Sequence, residues 1–233
     1  MKYLILVIFL VLQISHVAAQ QLKIEAGLNL ARGMGGMGVE AFYGSMLPGL
    51  KAGIAADFDV SGPVGVQTGI FFQQCGSVFP VADKETGNFS NSVLRLNYLQ
   101  LPLLITGYFS LSPATGLLLG AGPYTAWLLN DKAYGLKYLK NKNHFIGYLD
   151  NDATTTLQRL DYGLSFTNSF EIRRMLSITL QVDYGLRNLS RQGDDSVLRN
   201  QSFNCSIGYI ISRRKAMLRK PRASQMLLPM AVL

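Results

Sequence analysis

The sequence predicts an all-β protein, an eight-stranded antiparallel up-and-down transmembrane β-barrel. Three observations carry that expectation. Within the runs 160–170 and 176–186 every even position except Asn168 is apolar, while the odd positions include Asp161, Ser165, Thr167, Ser177, Thr179, Gln181 and Asp183. Eight strand-length segments, six of them well phased, are joined by connections that run long, short, long, short, long, short, long. Finally, charges keep to one row of each well-phased strand, and aromatic residues gather near strand ends. A period of two means strands with one apolar and one polar face.

Taken in order, residues 1–19 form a separate object. Lys2 is the only charge, Leu4 to Leu12 is an unbroken apolar run, and Val17-Ala18-Ala19 supplies small residues for cleavage. These are the parts of a secretory signal peptide, too short for a membrane anchor. The expected organisation is a signal peptide over 1–19, a barrel over 20–213 and a basic extension over 214–233.

In the first strand, Lys23 to Leu30, Ile24, Ala26, Leu28 and Leu30 share a face. A glycine-rich loop, Arg32 to Gly49, is expected next. Lys51 to Val60 and Val64 to Gln73 form a hairpin around Ser61-Gly62-Pro63, with Val60 opposite Val64. Gln74 to Val93 reads as a long polar loop. Leu94 to Phe109 is less cleanly phased, with Leu99, Leu101, Leu103 and Ile105 as its outer row. Ser110 to Ala114 turns the chain into Thr115 to Leu128, whose facing is ambiguous. The stretch from Thr115 to Leu129 makes no membrane helix, because Gly120, Gly122 and Pro123 interrupt it.

A long loop, Leu129 to Gln158, precedes the clearest hairpin. There Ile172-Arg173-Arg174 suits a three-residue connection. Pairing Glu171 with Met175 sets Tyr162 opposite Tyr184 and Gly163 opposite Asp183, which keeps both apolar rows on one side. After a loop from Arg187 to Gln201, the last strand, Ser202 to Arg213, alternates through Phe203, Cys205, Ile207, Tyr209 and Ile211.

Alternating short turns and long loops, with strands of about 9–11 residues, characterise transmembrane barrels. Closure is what permits a sheet in lipid, where an open edge leaves backbone groups unpaired. A soluble barrel shows the same alternation turned inside out. Aromatic placement separates the two. Phe72, Tyr162, Tyr184 and Phe203 fall near the loop-side ends, and Phe58, Phe170 and Tyr209 near the turn-side ends. Two aromatic bands around an aliphatic middle suit the two interfaces of a bilayer.

Several chemistries find no foothold. The formal net charge of +8 is concentrated at the end, in Arg213, Arg214, Lys215, Arg219, Lys220 and Arg222. The body is near neutral and lacks the basic face of a nucleic-acid binder. Gly33-Met34-Gly35-Gly36-Met37-Gly38 fits a dinucleotide fingerprint, with Asp57 and Asp59 further on. That fingerprint needs a parallel βαβ unit, so a surface loop is expected instead. His144 is the only histidine after the leader, and no serine or acid marks itself as its catalytic partner. Cys75 and Cys205 fall on non-neighbouring strands, so no disulfide is expected, and metal-ligand spacing is absent. No catalytic, cofactor-binding or metal-binding residue is assigned, and no cofactor is expected.

An eight-strand barrel is just wide enough for side chains to fill. Lys23 and Lys51, with Arg95 as a further candidate, are expected to pair inside with Glu25, Asp57, Asp59, Asp161, Glu171 and Asp183. The result is a polar plug rather than an ion path. Outside, Lys132, Lys137, Lys140 and Lys142 mix with Tyr134, Tyr138, Phe145 and Tyr148 in the longest loop, a surface for lipid or glycan phosphates or a partner protein.

The residues also resemble a family. Ile24-Glu25-Ala26-Gly27-Leu28-Asn29, the block Leu96-Asn97-Tyr98-Leu99-Gln100-Leu101-Pro102-Leu103-Leu104, Gly120-Ala121-Gly122-Pro123-Tyr124 and Asp161-Tyr162-Gly163 are similar to the PorT-type outer-membrane β-barrel family of Bacteroidota-like bacteria. The resemblance covers about Gln21 to Ser212. It implies an eight-strand barrel in the outer membrane and a founding relative associated with protein secretion to the cell surface. One departure is the chain beyond the last strand, since such barrels usually end there on an aromatic residue.

The expected function is a structural or interaction role in the bacterial outer membrane, linked to secretion or envelope assembly. An outer-membrane lipid-modifying enzyme and a narrow channel are the alternatives. Expected partners are outer-membrane lipid or lipopolysaccharide and other envelope or secretion proteins, not nucleic acid.

Overall fold

The computed structural model describes residues 21–37, 40–43, 45–82, 89–134, 157–173, 175–190 and 196–212. Expectations for residues 1–20, for His144 with most of its loop, and for the basic tail lie outside the described residues.

The strands are β1 (Gln21–Met37), β2 (Glu40–Tyr43), β3 (Ser45–Ser61), β4 (Val64–Ala82), β5 (Phe89–Ser110), β6 (Thr115–Tyr134), β7 (Leu160–Ile172), β8 (Leu176–Gly185) and β9 (Ser196–Ser212). Each pairs antiparallel with its neighbour, and β9 returns to β1, with Leu22 opposite Ser212 and Met37 opposite Ser196. β2 and β3 both lie along the same side of β1, so the nine strands make eight staves. The expected closed eight-stranded antiparallel barrel is what the chain forms.

The short turns gather at one end. Gly62 takes the left-handed conformation that a tight turn requires, with φ of 57°. Ser112 Oγ accepts hydrogen bonds from the backbone amides of Ala114 (3.2 Å) and Thr115 (3.1 Å), which fixes the β5–β6 turn. The β7–β8 turn closes with Met175 N donating to Ile172 O at 3.1 Å.

Register follows expectation in one hairpin and departs in the other. The body of β3–β4 pairs Phe58 with Val66 and Asp59 with Gly65, the phase expected from Val60 opposite Val64, before a bulge tightens the end. In β7–β8 the loop occupies residues 173–175, so Ile172 pairs with Leu176 and Leu164 with Tyr184. Tyr162 therefore does not face Tyr184. Each residue's partner has shifted by two positions, which leaves every side chain on its expected face. Alternation fixes facing but does not distinguish two registers of equal parity.

The long connections differ more. Much of the expected loops Arg32–Gly49, Gln74–Val93 and Arg187–Gln201, and the start of Leu129–Gln158, is strand. β1 carries the glycine run as far as Met37 into a hairpin with β2, so Gly33 to Met37 is sheet and not a loop. Beyond the apolar belt both faces of a strand meet polar surroundings, so the alternation that marks a strand fades while its backbone pairing persists. The barrel wall is consequently uneven, with 22 residues in β5 and 10 in β8. Above the low side, Gln158 N donates to Leu189 O at 2.8 Å and Leu189 N to Leu198 O at 2.8 Å, which ties two short segments across the mouth.

The outer surface is apolar and the inside largely polar. Ile54, Ile105, Phe166, Ile178, Ile207 and Tyr209 stand exposed outward. Lys23, Glu25, Lys51, Asp57, Asp161, Glu171 and Asp183 are buried inward. In a water-soluble fold this arrangement is inverted. In a bilayer it is the stable one, because a charge facing lipid at mid-depth costs about 2–4 kcal/mol. No helix among the described residues is long and apolar enough to cross a membrane; here the strands make the crossing.

Candidate functional site

Among the described residues, chemistry is concentrated in the lumen, which is layered from the turn end upward. At the turn end Lys23 Nζ sits 3.1 Å from Asp57 Oδ2 and 3.8 Å from Glu25 Oε1. Gln67 Nε2 donates to Asp57 Oδ1 at 2.7 Å, and Gln21 Nε2 donates to Glu171 Oε1 at 3.0 Å. These side chains meet because alternate residues of β1, β3, β4 and β7 all point inward. Lys51 lies higher, donates to Gln181 Oε1 at 2.6 Å and rests 4.6 Å above the Phe71 ring.

Above Lys51 the acids are held by neutral donors. Asp183 accepts from Ser165 Oγ, Gln181 Nε2 (2.6 Å), Gln73 Nε2 (3.2 Å), Ser202 Oγ (3.3 Å) and Asn204 Nδ2 (3.2 Å). Asp161 Oδ2 accepts from Asn200 Nδ2 at 3.1 Å, and the same nitrogen donates to Tyr98 Oη at 3.3 Å.

The uppermost layer is apolar. Ala31, Leu94, Leu96, Leu128, Leu157, Leu189 and Leu198 close over the polar tiers, with the rings of Tyr98 and Tyr124 beneath them. The side-chain ring of Tyr124 has space because residue 163 is glycine: a Cβ there would lie 2.7 Å from Tyr124 Cε1. Of the residues quoted for the family resemblance, Tyr98, Gln100, Tyr124, Asp161 and Gly163 meet at one level of the lumen.

Several expectations are corrected here. The plug is not polar throughout, since its loop-side end is a small hydrocarbon core. β5 and β6 supply much of it, and Leu104 and Leu118 are buried inside as well. With apolar residues on both faces, these strands lose the alternation that would have shown their facing. Arg95 lies on the outer row of β5, not in the lumen. Lys51 bonds an amide rather than an acid, while Asp161, Glu171 and Asp183 are held mostly by amides and hydroxyls. Asp59 is only partly buried. Cys75 points into the lumen and Cys205 outward.

On the outer surface Phe72, Tyr162 and Tyr184 mark the upper band as expected, with Trp127 added to it. The Arg187 guanidinium lies 5.8 Å from the Tyr162 ring, at the level where interfacial cations belong. Sequence reasoning missed Trp127 because the phase of β6 was unreadable. Among the described residues no cluster of histidine, cysteine and acidic side chains suits a metal ion. The cavity between Tyr98, Tyr124 and Asp161 measures about 10 Å³, room for about one water molecule.

No curated protein matches the sequence. Among solved structures, the attachment invasion locus protein Ail of Yersinia pestis aligns at 12% identity over 83% of this chain and 99% of that one, with a TM-score of 0.35. The outer membrane protein OprG of Pseudomonas aeruginosa aligns at 11% identity over 83% and 97%, with a TM-score of 0.43. Outer Membrane Protein W of E. coli aligns at 16% identity over 82% and 97%, with a TM-score of 0.38. A family model for the outer membrane protein beta-barrel domain matches residues 15–191, most of the chain. With its closed sheet, apolar exterior and enclosed charges, this chain belongs to the outer membrane protein beta-barrel domain family and is a protein of the bacterial outer membrane.

Proposed function

We propose that the protein is a non-conducting, non-enzymatic barrel that anchors and presents an interaction surface at the outer membrane. The observation that carries this reading is the filled lumen. Charged, polar and apolar tiers succeed one another, and the cavity between them has room for about one water molecule. The tall strands of β4, β5 and β6 rise past the apolar belt and form a rigid support for the loops. Such a support suits lipopolysaccharide or other envelope proteins as partners. The PorT-type resemblance favours a role in protein secretion or envelope assembly.

Residues 1–19 act in this reading as a cleaved export signal. Amino-terminal sequencing of protein from the outer membrane is expected to begin near Gln20. Crosslinking in intact cells followed by purification is expected to recover envelope or secretion proteins in stoichiometric amounts. Recovery of the barrel alone overturns the interaction role. Release of acyl chains from lipid A by purified protein, abolished by His144→Ala, overturns the non-enzymatic one.

A further inference from the structure

We infer that the outer wall of β5 and β6 binds one phosphorylated glycolipid of the outer leaflet, its phosphate held between Arg95 and Lys132. The inference rests on the reading of the barrel as an interaction surface and names the lipid that this surface takes. Three outward rungs climb the tall side of the wall, each paired across β4, β5 and β6. The lowest is Phe72, Leu99 and Trp127, at the upper aromatic band. The next is Gln74, Asn97 and Asn130, three amides. The third is Gly76, Arg95 and Lys132.

That third rung sets two cations directly opposite each other. Cross-strand partners stand about 5 Å apart at Cβ, and like charges so placed destabilise a sheet. Among the described residues no carboxylate lies at ion-pair distance from either cation. Asp131 lies on the inward row with Leu96. Gly76 sets no side chain beside Arg95, and the pairing of β6 with β7 stops at Trp127, below Lys132. A phosphate between the two relieves the repulsion and accepts charge-assisted hydrogen bonds from both.

The order of the rungs selects the rest of the molecule. Acyl chains lie against the lowest rung and sugar groups against the amides. Asn97 Nδ2 donates to Asn130 Oδ1, which leaves the exposed Asn130 nitrogen to donate to the sugar. The span from Leu99 to Arg95 gives about 10 Å of height in a strand tilted by about 40°. Arginine and lysine side chains bend over such a distance toward a headgroup. The rungs lie on the loop side, which in a transmembrane barrel faces the outside of the cell.

Trp127 is the only tryptophan in the chain and reports on the site. The test refolds the mature chain in uncharged detergent micelles and titrates it with phosphorylated lipid A. The expected result is a saturable change in tryptophan emission, at least tenfold weaker with lipid A stripped of phosphate and with phosphatidylglycerol, which lacks the sugar. Arg95→Gln with Lys132→Gln is expected to weaken binding at least tenfold, with the barrel's circular dichroism retained because both residues lie outside the lumen. Arg173→Gln, exposed at the turn end, is expected to leave binding unchanged. Equal affinity for the phosphate-free lipid, or for the double variant, overturns the phosphate site. Equal affinity for phosphatidylglycerol overturns the glycolipid. Lipid binding is read here apart from any crosslinked protein, so the loss of either is visible by itself.

Discussion

Lys23 shows at the scale of one residue what the enclosed charges are worth. It is fully buried, with Asp57 at 3.1 Å and Glu25 at 3.8 Å. Removing one member of such a group strands the others, at about 3–5 kcal/mol. Lys23→Met is therefore expected to lower the unfolding free energy in micelles by about that amount. Restoring balance with Lys23→Met plus Asp57→Leu is expected to recover most of it, since well-packed apolar replacements of buried pairs are often neutral or better. Urea titration followed by circular dichroism checks both; a loss below about 1 kcal/mol in the single variant would mean that water reaches the pair. Gly163 makes the complementary case for packing. A methyl there would lie 2.1 Å from the Tyr184 carbonyl oxygen and 2.7 Å from the Tyr124 ring, so Gly163→Ala is expected to cost about 3 kcal/mol or more, read as a lower urea midpoint and a changed near-ultraviolet tyrosine signal.

At the scale of the strand, alternation revealed facing wherever one row is apolar and the other polar, as in β7 and β8, whose exposure alternates without a break. Label probes therefore have a sharp expectation. A nitroxide at Ile178 is expected to be relaxed by oxygen dissolved in the bilayer, and one at Thr179 is not. Equal accessibility would remove the membrane orientation altogether. Asn168 is the exception within that pattern, a polar side chain exposed on the outer row of β7 between Leu119 and Leu180 of the flanking strands. An amide in contact with hydrocarbon is unfavourable, so Asn168→Leu is expected to raise stability by about 1–2 kcal/mol in the same titration. β5 and β6 were legible only in part. Leu101, Leu103 and Ile105 stand outward as the residues suggest. Leu94, Leu96 and Leu128 turn inward to make the apolar tier, Leu118 turns inward near the turn end, and no period-two rule separates leucines on opposite faces of one strand.

For the whole molecule, strand number, antiparallel order and the end at which the turns lie were all legible, because turn residues and loop lengths encode them locally. The tiered lumen was not. Contacts such as Gln21 with Glu171, or Tyr98 with Asn200, join residues far apart in sequence, and only closure of the sheet brings them together. Nor was the uneven wall, since strands above the membrane carry no apolar stripe to announce them. A lumen filled in this way is expected to give no stable conductance steps in planar bilayers. Removal of the upper tier by Leu96→Ala with Leu198→Ala is expected to destabilise the barrel by about 2–5 kcal/mol per leucine without opening a channel.

The pairing of Leu22 with Ser212 has a consequence for how the cylinder is completed. Every other join lies between staves adjacent in the chain and forms at short range, whereas this one waits for both extremities to meet and carries the largest loop-closure cost. The chain runs on from Ser212 into the basic residues 214–233. The seam between the first and last staves is the one at which the hoop is finally drawn shut.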